Sequence, residues 1–237
     1  LETKTGIVLP DSPTHNVSHE EVKGNKIRHE FPALSLQKSK NVADLITWAD
    51  VKPVNLSWKL DGLTLVVTYD NGKLTRVVTR GDGVTGSDIT HLAPSISNIL
   101  PEIEYKGHIV IRGEAVISYD DFEAINKKYN NAYENPRNLA AGSCNPLTTA
   151  DLIADRQLVW LPFTLVDFEQ DNHKWSERME YLRSLGFRTV DFELISNPEH
   201  IADKISEWSN RVENFEYPVD GLVLTYDDVI YASGGNL

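Results

Sequence analysis

Residues 54–62 read Val54-Asn55-Leu56-Ser57-Trp58-Lys59-Leu60-Asp61-Gly62. Apolar and polar side chains alternate up to the Asp-Gly pair. A period of two predicts a strand over 54–60 with an apolar face, and it places Lys59 on the opposite, polar face. Two more strands follow, over 63–69 and 74–80, joined by Asn71-Gly72. That dipeptide favours a two-residue hairpin, because both central positions of a type I′ turn take positive φ. Further strands are expected over 109–117, over 158–168 with an interruption at Pro162, and over 219–226.

Helices occupy separate runs. One is expected over 41–50, with Val42, Leu45, Ile46 and Ala49 on one face. Ser118-Tyr119-Asp120-Asp121 reads as a cap opening a helix to about residue 129. Asn135-Pro136 supplies a cap and a proline at the first helical position. A helix over 177–185 ends at Gly186. Asn197-Pro198 opens another, with Ile201, Ile205, Trp208 and Val212 as its buried face. Hairpins beside segregated helices define an α+β chain. Residues 1–40, broken by Pro10, Pro13 and Pro32, form an extended lead-in, and 41–237 form the main domain.

The 237 residues carry 23 basic and 35 acidic side chains, a net charge of −12. A chain this acidic is a poor phosphate clamp as a whole, although a local basic pocket is compatible with it. No apolar run approaches the ~20 residues that span a bilayer. Cys144 is the single cysteine, which excludes an internal disulfide and a multi-cysteine zinc site. A reducing, cytoplasmic setting is expected. The first residue is Leu1, as in an excised fragment. His15 and His19 are four apart in a stretch without helical period, which makes a weak ligand pair.

Several short motifs carry chemistry. Lys59 in Lys59-Leu60-Asp61-Gly62 is a nucleophile if its amine sheds its proton, which burial or neighbouring cations promote; otherwise it is a surface lysine before a turn. Gly62 permits a sharp turn and close approach of a ligand. Thr79-Arg80-Gly81-Asp82-Gly83 offers backbone amides and a guanidinium to an anion, or forms a plain β-turn. Arg112 and Glu114 share one strand face, as an ion pair or with the carboxylate free to accept bonds from a sugar. Arg137 falls in the first turn of a helix, where anions bind. Phe163 is either core or a stacking face for a base. Asp220-Gly221 holds a cation or shapes a turn.

Taken in order, Trp58-Lys59-Leu60-Asp61-Gly62, Thr79-Arg80-Gly81-Asp82-Gly83, Arg112-Gly113-Glu114, Asn135-Pro136-Arg137-Asn138-Leu139-Ala140-Ala141-Gly142-Ser143 and Asp220-Gly221 resemble the adenylation domain of bacterial NAD⁺-dependent DNA ligase. Arg28-His29-Glu30, Pro32 and Leu34-Ser35-Leu36 in the lead-in agree. The resemblance implies an ATP-grasp-like nucleotidyltransferase fold, with antiparallel sheets flanking a nucleotide cleft and helices outside. It implies that Lys59 attacks the α-phosphorus of NAD⁺, releases nicotinamide mononucleotide and holds AMP, which then serves the sealing of nicks in double-stranded DNA. Ser35 and Leu36 would line the adenine side, Phe163 would stack on the base and Glu114 would bond the ribose. Arg80 and Arg137 would serve the AMP pocket, and Asp61 and Asp220 would orient the lysine, the sugar or a magnesium ion. The implied protein is a monomer, and its DNA-gripping parts lie outside this sequence. The chain departs from the family pattern at Ser57, where a glutamate is usual, at Thr225, where a lysine is usual, and at Asn145, where an arginine is usual. Two other readings stand beside this one: an ATP-dependent nucleotidyltransferase, and a non-catalytic nucleotide-binding module.

Overall fold

The computed structural model describes residues 25–33, 36–168 and 173–229. A four-stranded antiparallel sheet runs in the order β4 (Lys73–Thr79), β3 (Leu63–Asp70), β6 (His108–Val116), β7 (Val159–Phe168). A three-stranded antiparallel sheet runs β8 (Phe192–Ile195), β2 (Val54–Leu60), β9 (Val219–Tyr226). The lead-in supplies β1 (Lys26–Arg28), which pairs with β5 (Thr85–Ser87). The helices are α1 (Val42–Ala49), α2 (Tyr119–Lys128), α3 (Pro136–Ser143), α4 (Ala150–Ile153), α5 (Trp175–Ser184) and α6 (Ile201–Arg211).

The chain crosses from the smaller sheet to the larger one through Asp61-Gly62, the two residues between β2 and β3. β2 is the centre of its sheet and is almost wholly buried. Its apolar face packs under α6: the Trp58 ring lies 4.8 Å from both Trp208 and Phe215. The polar face is also covered, a feature that strict alternation does not convey. Asn55 is 1% exposed and donates to the Asp227 carboxylate at 2.8 Å. Phe192, opposite Ser57, packs edge-on against Trp175 of α5 at 5.0 Å. One hydrophobic core runs through both larger sheets and their helices.

The caps form as their sequences predict. Asn41 accepts from the Ala43 amide, Ser118 from Asp121 and Asn135 from Asn138. Such caps contribute about 1 kcal/mol each to holding a helix start in place. The Asn71-Gly72 turn also forms, with both residues at positive φ.

Two expectations need correction, and two short strands were not expected. β7 runs on through Pro162, with a register shift beside it but no break; it is an edge strand, where a missing N–H costs no ladder bond. Val212 is 41% exposed, because α6 tightens into a 3₁₀ turn there and its stripe ends. Residues 85–87, just past the glycine motif, form β5. Phe192–Ile195 forms β8, four residues with no strict alternation.

Candidate active site

Lys59 and Asp220 meet where β2 and β9 fall out of register. Trp58 pairs with Leu222 and Leu60 with Val219, so Asp220 and Gly221 together oppose Lys59. This is a β-bulge, and Gly221 takes the positive φ (+119°) that favours glycine. The Lys59 ammonium donates to the Asp220 carboxylate. That bond, first, and the charge of the same lysine hold the Asp220 carboxyl below its usual range; Lys38 and Arg137 add to the effect. The Lys59 side chain is 33% exposed, open enough to meet a ligand yet braced by the strand.

Asp61-Gly62 closes the floor of the site. The Asp61 amide donates to Pro218 O at 2.8 Å, and its carboxylate accepts from Arg137 Nη1 at 2.7 Å. Arg137 sits in the first turn of α3, placed by the Asn135 cap and by Pro136. Gly62 has no room for a side chain: a Cβ there would stand 2.1 Å from Ala115 O. The close approach lets the Gly62 amide donate to Glu114 Oε1 at 3.2 Å. Thr64, directly opposite Glu114 in the sheet, donates its hydroxyl to Oε2 at 2.7 Å. Burial pushes the Glu114 carboxyl up to about 7, against the pull of those two bonds and of Arg137.

Phe163 is the extra residue of a second bulge. Arg112 pairs with Thr164 and Gly113 with Pro162, which leaves Phe163 unopposed and its ring half-buried. Bulges re-aim side chains in this way beside active sites.

Arg80 stands further into the lead-in contact. Its Nε donates to Ala33 O at 2.9 Å, and His29 Nε2 lies 2.9 Å from Arg80 O. The glycine loop after it is an Asp-braced turn: the Asp82 carboxylate accepts from the amides of Val84 and Thr85 at 2.8 and 2.7 Å. Those two amides therefore hold the turn instead of facing outward. The loop receives the lead-in through Ala33 N to Gly83 O and His29 N to Val84 O, both 2.8 Å. Arg112 forms no bond to Glu114. Its Nη2 donates to Phe31 O at 2.9 Å and to Pro32 O at 3.2 Å. Neither Arg112's grip on the lead-in nor Thr64's on Glu114 was assigned from the sequence, though pairing 63–70 with 108–116 identifies Thr64.

Ser57, 5% exposed, pairs with Phe192 and Val223; Thr225 faces Asn55. Both neutral side chains share the strand face that carries Lys59. Asn145 accepts from the Leu147 amide at 2.9 Å, bracing a turn. Leu36 is 62% exposed, and Ser35 lies outside the described residues.

Two antiparallel sheets joined at a lysine-bearing strand, with acids and arginines converging beside it, make the nucleotidyltransferase fold. The match to an archaeal ATP-dependent RNA ligase supports that fold: TM-score 0.51 at 16% identity, over 83% of this chain and 45% of that one. At the level of sequence, the profile of the NAD-dependent DNA ligase adenylation domain matches residues 21–233. The chain belongs to that family. It is 41% identical over 237 residues to the DNA ligase of Lachnoclostridium phytofermentans, across 98% of this chain and 36% of that protein. It is 36% identical over 232 residues to the DNA ligase of Campylobacter lari, across 94% of this chain and 36% of that protein. The chain thus spans about a third of the length of the curated relatives it matches.

Proposed function

We propose that this chain is the adenylyl-transferring part of an NAD⁺-dependent DNA ligase, with Lys59 as nucleophile. The Nζ–phosphorus bond forms as the bond from the α-phosphorus to the leaving phosphate oxygen breaks. Nicotinamide mononucleotide departs with that oxygen, and Lys59 loses its extra proton. AMP, held as a phosphoramidate, then passes to the 5′-phosphate of a nick, and the 3′-hydroxyl displaces it. Transfer at phosphorus depends more on positioning and charge neutralisation than on acid–base chemistry.

One observation carries the reading: Lys59, Asp220, Asp61 and Arg137 are linked pairwise at the junction of two sheets, beside Glu114. Arg137 meets the phosphate charge, Glu114 and Thr64 face the ribose, and Phe163 supplies a ring for the base. Arg80 contributes by fixing the lead-in against the site, and Leu36 and Ser35 follow that anchored segment. Ser57 and Thr225 line the same face of the smaller sheet without charge. Asp61 and Asp220 already engage Arg137 and Lys59, so magnesium fits better as a companion of the phosphates than as an ion held by these two carboxylates. Nicked double-stranded DNA is the partner, gripped mainly by parts of the full-length protein outside this acidic chain. A monomer working in the cytoplasm completes the reading.

Intact-mass measurement of the full-length protein with NAD⁺ and magnesium tests it. An AMP adduct that disappears in Lys59→Ala supports the reading. An adduct with ATP and none with NAD⁺ reverses the choice of substrate. Nucleotide binding without any adduct favours a non-catalytic module.

A further inference from the structure

At the far end of β6 from Glu114, one face of the larger sheet carries a row of ligand-type side chains. Asp70 in β3 pairs directly with His108 in β6. Asp167 in β7 pairs with Val110, two residues along from His108 and therefore on the same face. Glu30, from the segment after β1, lies over this row. Glu30, His108 and Asp167 each present one ligand atom, all within 4.8 Å of one another. His108 Nε2 is 3.2 Å from the Glu30 carboxylate, and Nδ1 is 2.6 Å from Asp70. Asp167 is half-buried, and its carboxylate accepts no hydrogen bond among the described residues. Three carboxylates thus surround one imidazole. Among the described residues, Arg76 acts on Asp70 and Arg178 lies beside Asp167.

We propose that Glu30, His108 and Asp167 bind a divalent first-row metal ion of the zinc type, with Asp70 as the outer partner of His108. The imidazole is set up for this role. With an ion bound, Nδ1–H donating to Asp70 would leave Nε2, 3.2 Å from the Glu30 carboxylate, as the metal-binding nitrogen, the carboxylate–histidine–metal arrangement. One nitrogen and two oxygens suit zinc or manganese better than calcium or magnesium, and a water completes a four-coordinate shell. The ligands come from three elements far apart in sequence, so a bound ion would pin the lead-in at Glu30 to two strands of the sheet. His108 is six residues before Glu114 on β6, roughly 20 Å at about 3.4 Å per residue, so this site is separate from the nucleotide cleft.

The test is calorimetric titration of the nucleotide-free chain with zinc, manganese or magnesium chloride, alongside visible absorption after cobalt loading. One zinc ion per chain is expected, with weaker manganese binding, no magnesium binding and an intense cobalt band. His108→Ala should weaken zinc at least a hundredfold, and Asp70→Asn about ten- to a hundredfold. Glu30→Gln, at an exposed position that does not endanger folding, should weaken it at least tenfold. Absence of saturable zinc binding overturns the proposal. So does zinc affinity unchanged in both His108→Ala and Glu30→Gln.

Discussion

Lys59 and Asp220 form an ion pair across a bulge in which two residues of β9 oppose one of β2. An ammonium bonded to a carboxylate has no lone pair to donate. In the proposed reaction, the same contact that orients Lys59 would restrain it until its proton leaves, with Asp220 the nearest carboxylate. Incoming phosphates would compete with Asp220 for the amine.

The first prediction follows from this pair. Asp220→Asn keeps the shape and the hydrogen-bond acceptor but removes the charge. Formation of the AMP adduct should slow by about a hundredfold, while affinity for NAD⁺ changes less than tenfold, a split typical of a group acting on the reacting atom. Rapid-quench measurement of adduct formation with the full-length protein is the check. An unchanged rate would remove Asp220 from the chemistry.

Glu114 gives a pH prediction. Burial raises its carboxyl from 4.5 to about 7. Between those values the unfolded chain has lost the proton and the folded chain keeps it, so stability falls as pH rises through that window. The slope integrates to at most about 3 kcal/mol. Urea titrations at pH 5 and pH 8 should show this loss in the native chain. Glu114→Gln should show it reduced by that amount, because the amide carries no titrating proton.

Gly62→Ala should be among the most disruptive small substitutions. A methyl group 2.1 Å from Ala115 O and 2.8 Å from Val116 Cγ1 forces the two backbones apart. A loss of about 2–4 kcal/mol is expected from denaturant midpoints. A change below about 0.5 kcal/mol would mean that the junction relaxes freely.

Arg137 and Asp61 are exposed enough that their pair should add less than about 1 kcal/mol to stability. Their effect on function should be larger. Arg137→Ala is expected to raise the KM for NAD⁺ at least tenfold with little change in melting temperature. A fall in melting temperature without any kinetic change would make Arg137 a structural residue.

Much of this was legible in the sequence because the elements involved have strong local signals. Val219–Tyr226 is read without error, since β-branched and aromatic residues follow a glycine that the bulge needs. The caps at Asn41, Ser118 and Asn135 each satisfy helix amides within three residues in sequence. Contacts between distant segments were not legible. The glycine loop reads equally as an anion cradle or a plain turn, and only the structure decides for the turn, which Asp82 braces and the lead-in covers. Arg112 reads as one of two options, a partner for Glu114 or a bystander to it, and nothing in the sequence points to the backbone carbonyls about 80 residues away that it reaches. Carbonyls have no residue-type signature, so no motif announces such a bond. Short β5 and β8 exist through their partners β1 and β2, and pairing of that kind leaves little trace in three or four letters.

The joint between the sheets has a mechanical corollary. Only Asp61 and Gly62 separate β2 from β3, and the wall at Ala115 denies them slack. A hinge located there would tear the Gly62–Glu114 bond with every stroke. Opening and shutting around a dinucleotide would therefore fall to whatever docks at the rim, while the lysine stays on a fixed anvil.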